Sequence, residues 1–193
     1  MAAMAERGID LTNQFLIAMP GMTDDNFAGA VVYLCEHSDK GALGLMINKP
    51  TDITLQNLFE KVDLRLDRAD LIDEPVYFGG PVQTERGFVL HETQPGNAYS
   101  STLAMPGGLG MTTSKDVLEA LSHGAGPRRV LVTLGYSGWG AGQLEEEIAR
   151  NGWLNVQADP DIIFDTPPEQ RYARALALLG IDPRMLSGEA GHA

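Results

Sequence analysis

Short apolar runs of strand length alternate along this chain with segments whose apolar residues recur at helical spacing. Phe15 to Met19 reads as a buried strand ended by Pro20-Gly21. AVVYLCEH (30–37) and GALGLMIN (41–48) read as a hairpin about the turn Ser38-Asp39-Lys40. In TDITLQNLFEKV, Leu55, Leu58, Phe59 and Val62 share one helical face behind threonines that can cap a first turn, and this helix is expected on the hairpin's sheet.

VYF (76–78), GFVLH (87–91) and STLAM (101–105) are further strand candidates between turn-rich segments. MTTSKDVLEALSHG predicts a helix with Val117, Leu118 and Leu121 on one face, Thr113 as N-cap, Asp116 three residues on, and Gly124 as the stop. The chain returns through Pro127 to a strand over RRVLVTL, and GYSGWGAGQLEEEI (135–148) then reads as a glycine-rich loop leading into a helix over about 142–150. That helix turns Leu144 and Ile148 inward, while Glu145, Glu146 and Glu147 face mostly outward and complement its dipole. IIFD is the last strand candidate, and TPPE opens the last helix, with Thr166 as N-cap, Pro167 at the first helical position and Glu169 closing a capping box; Gly180 ends it. No repeat or linker interrupts this order, which predicts an α+β fold: one compact domain over residues 1–193, with mixed β-sheets flanked by helices and loose tails at 1–12 and 186–193.

Charge narrows the functional classes. Asp plus Glu number 26 against 14 Lys plus Arg, a net charge of -12, and the longest basic run is Arg128-Arg129. Such a surface repels phosphate backbones, so direct nucleic-acid binding is not expected. Cys35 is the single cysteine, which leaves no internal disulfide, and no Cys/His spacing resembles a structural zinc site. FLIAMPGM is too short, too interrupted and too acidic in its approach for a signal peptide or membrane span, so a cytoplasmic protein is expected, with Met4 an alternative start.

The 135–148 stretch resembles three kinds of catalytic loop and completes none. A nucleophile elbow needs a glycine two residues after its serine, where Ser137 has Trp139. A phosphate-binding P-loop needs a lysine and a hydroxyl after its second glycine, and Gly140 is followed by Ala141-Gly142. The dinucleotide fingerprint fails on spacing, since Gly142 follows Gly140 one residue too early. A turn packing Trp139 into the core and a helix N-terminus receiving an acceptor both remain open.

Strand alternation puts Cys35 and His37 on one face, where a thiol and an imidazole would meet if that face opened into a cleft; against this, a cysteine inside AVVYLC reads as a small core residue and His37 at the strand end as a turn residue. Asn48-Lys49-Pro50 and Gly79-Gly80-Pro81 form two sharp corners, and with Arg86 they offer cations to an anion-accepting pocket in an otherwise acidic chain.

FLIAMPGM, VVYLCEH, GLMINKP, VYFGGPV, GYSGWGAGQLEEEI with NGWL, and FDTPPEQRYARALALLGIDP together resemble, in this order, the YqgE/AlgH family of bacterial proteins, from about Phe15 to Pro183. Tyr172 stands where that family's pattern has tryptophan. The resemblance implies a compact α+β domain, implies little chemistry, and carries an association with the regulation of alginate production. Nothing here reads as a helix-turn-helix with a basic recognition face, so a regulatory role would be indirect.

The expectation is a cytoplasmic, non-enzymatic binding or indirectly regulatory protein, acting through a protein partner or small ligand without cofactor or metal. Its expected contact residues are Asn48, Lys49, Gly79, Gly80, Arg86, Ser137, Trp139 and Gln143. The alternatives are a hydrolase or transferase using Ser137 or Cys35, and, behind it, a DNA-binding transcriptional regulator.

Overall fold

The computed structural model describes residues 9–22, 24–94 and 98–186; the remainder of the expected tails, 1–8 and 187–193, lies outside the described residues. Ten strands form one sheet: β1 (Gln14–Ala18), β2 (Val31–Ser38), β3 (Gly41–Met46), β4 (Pro50–Thr54), β5 (Pro75–Phe78), β6 (Val82–Glu92), β7 (Thr102–Met105), β8 (Leu109–Thr112), β9 (Val130–Gly140) and β10 (Trp153–Gln157). Five helices are present among the described residues: α1 (Leu55–Lys61), α2 (Asp116–Ser122), α3 (Gln143–Ala149), α4 (Pro160–Phe164) and α5 (Pro168–Ala177). The fold is the α+β class that the sequence predicts.

The main strand order is β10-β1-β2-β3-β9-β6-β8-β7, with β5 beside β9 and β4 beyond it. All pairings are antiparallel except β5 with β9. Phe15 and Ile17 of β1 share one buried cluster with Met105 of β7, from far along the order, so the sheet curls around an inner core. Ile162, Ile163, Ala175 and Leu176 of α4 and α5 close that core. The outer face carries two further clusters. Leu144 of α3 packs with Val32, Leu34, Trp139 and Trp153, whereas α1 and α2 cover Val76, Val89 and Val132.

The placement of α1 corrects an expectation. Its Leu55 and Phe59 pack on β5, β6 and β9, not on the β2–β3 hairpin. Its start is as anticipated: Thr54 Oγ1 accepts from Asn57 N (3.1 Å) while Asn57 Oδ1 accepts from Thr54 N (3.2 Å).

Other local readings fail for nameable reasons. IIFD is helical, because Asp159 accepts from Asp161 N (3.0 Å) and Pro160 presets the first turn. Thr113 is no N-cap, since its N–H extends the sheet to Ser101 O (3.0 Å); α2 starts only at Asp116, whose carboxylate gathers Ser100 and Ser114. Thr166 likewise spends its hydroxyl on Asp161 O (3.0 Å), and α5 begins one residue later than read. Three strands escaped the pattern: β4, whose threonines read as the approach to α1; β8, whose four residues include a glycine; and β10, a sheet-edge strand with polar Asn155 and Gln157.

The largest correction concerns GYSGWG, which is no loop: β9 runs unbroken from Val130 to Gly140, and only Ala141-Gly142 turn into α3. Gly135, at φ 78°, shifts the side-chain alternation by one residue. Before it Leu131 faces the inner core and Val132 the outer; after it Tyr136 faces inward and Trp139 outward. β6 accommodates this by an excursion, pairing Val82 with Tyr136 and Gly87 with Leu134.

The segment Gly79-Gly80 presses against this point. A Cβ on Gly80 would lie 2.1 Å from the Tyr136 carbonyl, and one on Gly79 2.4 Å from Gly135 O. Gly80→Ala is therefore expected to lower unfolding free energy by roughly 3 kcal/mol or more. Gly87→Ala, where a Cβ meets nothing within 4 Å, should change it by less than about 1 kcal/mol. Urea denaturation of both variants checks the contrast.

Candidate functional site

The second half of β9 gathers most of the residues that the sequence singles out. Ser137 is fully buried, and its Oγ donates to Gly79 O (2.9 Å), a carbonyl that also accepts from Met46 N (2.9 Å). Ser137, Gly79 and Gly80 thus meet at a backbone crossing, and the hydroxyl pins it. Asn48 and Lys49 lie beside the same crossing, where Lys49 O accepts from Phe78 N (2.8 Å). Their side chains hold the preceding loop: Asn48 Oδ1 accepts from Val31 N (2.9 Å), Asn48 Nδ2 donates to Gly29 O (2.9 Å), and Lys49 Nζ donates to Ala28 O (2.5 Å). Arg86 is engaged elsewhere, with Nη1 on Gln83 Oε1 (3.2 Å) and its guanidinium 5.7 Å from the Phe88 ring centroid. The two expected cations therefore serve different partners.

Cys35 and His37 do not share a face. A bulge between Leu34 and Glu36 pairs Glu36 with Leu43 and His37 with Ala42, so β2 changes phase just past the cysteine. Cys35 lies in the inner core, where burial pushes its thiol pKa up. His37 turns outward: Nδ1 accepts from Leu11 N (3.0 Å), which leaves the proton on Nε2, 3.5 Å from Glu145 Oε2. With the thiol in the inner core and both imidazole nitrogens facing other groups, the pair cannot act as nucleophile and base.

Glu147 is the residue that sequence reasoning missed. Counted there as a solvated glutamate, it instead accepts on one oxygen from both tryptophans, Trp139 Nε1 (3.0 Å) and Trp153 Nε1 (2.9 Å). Its other oxygen accepts from Gln143 Nε2 (2.9 Å), and Gln143 Oε1 accepts from Gly140 N (2.9 Å). The indoles meet edge to face at 6.0 Å, and Phe27 stacks on Trp139 at 6.0 Å. The only signal in the sequence is indirect: two tryptophans flank a helix that carries three consecutive glutamates.

The accessible part of this region is a shallow groove of about 410 Å³ on the inner side of β9, beyond the helices' cover. Leu43, Tyr136 and Gly138 line it together with Glu36, Lys40 and Val82. It offers an aromatic ring, exposed backbone at Gly138 and one charge of each sign, an arrangement suited to contact rather than to bond-making.

Trp139 is 5% exposed, so Trp139→Ala is expected to cost about 3–5 kcal/mol. Glu147→Leu, which leaves two indole N–H groups without an acceptor, should cost more than Glu147→Gln, and Ser137→Ala only about 1 kcal/mol. Chemical denaturation of the four variants tests this order.

Comparison with known proteins agrees with this architecture. The AlgH-like family model (DUF179) matches residues 15–184. A UPF0301 protein of Cupriavidus pinatubonensis is 67% identical over 191 residues, covering 99% of this chain and 100% of the relative. One from Paraburkholderia phytofirmans is 68% identical over 185 residues, 96% of each chain. The solution structure of AlgH from Pseudomonas aeruginosa superposes with a TM-score of 0.77 at 50% identity, covering 95% of this chain and 96% of that one. A crystal structure from Corynebacterium diphtheriae, 20% identical with a TM-score of 0.69 over 88% and 87% of the two chains, shares the fold. The chain belongs to the YqgE/AlgH family.

Proposed function

We propose that this protein is a non-enzymatic binding protein of the cytoplasm, that it acts through a protein partner or small ligand, and that any regulatory effect it has is indirect. One observation carries the reading: the hydroxyl best placed in sequence to be a nucleophile, Ser137 Oγ, is fully buried and donates to Gly79 O (2.9 Å). A nucleophile needs a base to take its proton, and this proton faces a carbonyl instead. Cys35, at 1% exposure, is equally shielded. The net charge of -12 favours a partner other than nucleic acid. No helix among the described residues is long and apolar enough to cross a membrane.

The proposed contact surface is the groove beside β9, backed by the residues singled out in the sequence: Ser137, Trp139 and Gln143 shape it from behind, Gly79-Gly80 and Asn48-Lys49 brace its strand, and Arg86 adjoins it through Phe88. Phe88 meets Tyr136 edge-on at 5.5 Å.

Two measurements test the proposal. A fluorophosphonate probe should leave Ser137 unlabelled in the native protein, and a thiol reagent should modify Cys35 slowly until the protein is denatured; rapid native labelling of either would establish the hydrolase or transferase alternative. Gly138→Arg fills the groove at an exposed position whose Cβ meets only the Tyr136 ring at 3.3 Å. It should keep the wild-type melting temperature to within a few degrees and abolish capture of the partner or ligand that wild-type protein retains from its native cytoplasm. Undiminished capture by the folded variant would place the contact elsewhere.

A further inference from the structure

Away from the groove, α5, β5 and the start of β9 enclose a cavity of about 200 Å³ whose wall includes Arg171, Tyr77 and Arg128. Arg171 is 4% exposed. Its Nε donates to Thr166 O (2.9 Å), one terminal nitrogen donates to Ile47 O, and the guanidinium lies 5.0 Å from the Tyr77 ring centroid. Carbonyls and a ring face solvate a cation without cancelling its charge. No carboxylate pairs with Arg171 among the described residues.

The carboxylates of the wall are mostly occupied by other cations. Asp70 accepts two hydrogen bonds from Arg68, at 3.0 and 2.8 Å. Asp165 is held by Arg129, which also binds Asp161 (2.9 Å) and, through two nitrogens, Glu92 (3.0 Å each). This hub ties α4 and its C-terminal residue to the start of β9, so the wall is built in advance of any ligand. Glu74 is the exposed carboxylate of the wall, and the exposed Arg128 offsets it. Burial raises the Tyr77 phenol's pKa, and the charge of Arg171 and its hydrogen bond to the phenol oppose this in part.

We propose that this cavity receives a small oxyanion, the carboxylate or phosphate group of a small metabolite, held by the Arg171 guanidinium and the Tyr77 hydroxyl with Arg128 at the mouth. A planar guanidinium that carries its charge without a carboxylate, beside a phenol, is a donor set matched to such a group. A volume of this size holds about six or seven water molecules' worth of ligand, which admits phosphate or a short carboxylate and excludes a nucleotide. The inference stands apart from the groove, and neither depends on the other.

The test is a titration of the isotopically labelled full chain at constant ionic strength, with inorganic phosphate in one arm, acetate in a second and chloride as reference, followed by nuclear magnetic resonance. Saturable shifts centred on Arg171, Tyr77 and Val130 are expected with phosphate, acetate or both, and the arm that saturates assigns the group. Tyr77→Phe and Arg128→Gln should each weaken binding about threefold to tenfold, and Arg171→Lys by about tenfold or more. Arg171 also supports the backbone, so if Arg171→Lys does not fold, the other two variants decide. No saturable response to either anion, the same response to chloride, or unchanged affinity in folded Tyr77→Phe and Arg128→Gln overturns the proposal.

Discussion

The fold depends on a place where two backbones come closer than any side chain permits. Gly79-Gly80 lies across Gly135–Ser137 so tightly that a Cβ on any of Gly79, Gly80 or Gly135 would sit 2.1 to 2.4 Å from a backbone atom. Four strands use this contact. Met46 N at the end of β3 bonds to Gly79 O, Gly79 N bonds to Leu134 O of β9, β5 ends at the glycine pair, and β6 begins just past it. Because Gly135 also shifts the phase of β9, one strand serves two differently packed halves: its first half lies under α1 and α2, and its second half under α3. Without that shift Trp139 would point at the inner core and the outer cluster around α3 would lose its largest member.

A second constraint acts at the end of the same strand. Glu147 brings together indoles from β9 and β10, which lie four places apart in the sheet order, and its helix spans them on the outer face. A carboxylate suits this better than a neutral acceptor, because one oxygen accepts two N–H groups while the other takes the Gln143 amide. Gln143 in turn satisfies Gly140 N, so the turn into α3, the helix and both strands are joined through side chains rather than backbone ladders. These contacts fix the second half of β9 from its outer face, behind the groove.

What was legible in the sequence was local. The first three strands and the cap of α1 follow from apolar runs of strand length and from the threonines ahead of the first turn, because those signals lie within a few residues of the structure they produce. GYSGWG failed as a local reading because three glycines in six residues resemble a loop, and the reason that they are a strand is the segment they cross, more than fifty residues earlier. Cys35 and His37 failed because one bulged residue reverses every later side chain, and nothing in VVYLCEHS marks it. The candidate residues were found as a group, since Ser137, Gly79, Gly80, Asn48 and Lys49 do meet, but their chemistry was hidden: each polar atom's partner is set by tertiary contact. Arg171 and Glu147 were invisible because charge on a helix is read as solvated unless its neighbours are known.

The acidity of the chain gives its buried cation particular weight. With 26 carboxylate side chains for 14 Lys and Arg, counter-charges are plentiful, and Arg68, Arg129 and Arg184 each have one or more in contact. A cation that faces carbonyls in such a protein is not short of available partners. Lys49 also faces a carbonyl, that of Ala28, but it is only partly buried, and water supplies the rest of its solvation at little cost. Arg171 is 4% exposed and has no such recourse, so its charge is either borne at a cost to stability or met by something that enters the cavity beside it. Three carboxylates hold Arg129 in the cavity wall while Arg171 in the same wall has none, and a wall fixed in this way around an uncompensated cation differs from a merely unpaired charge.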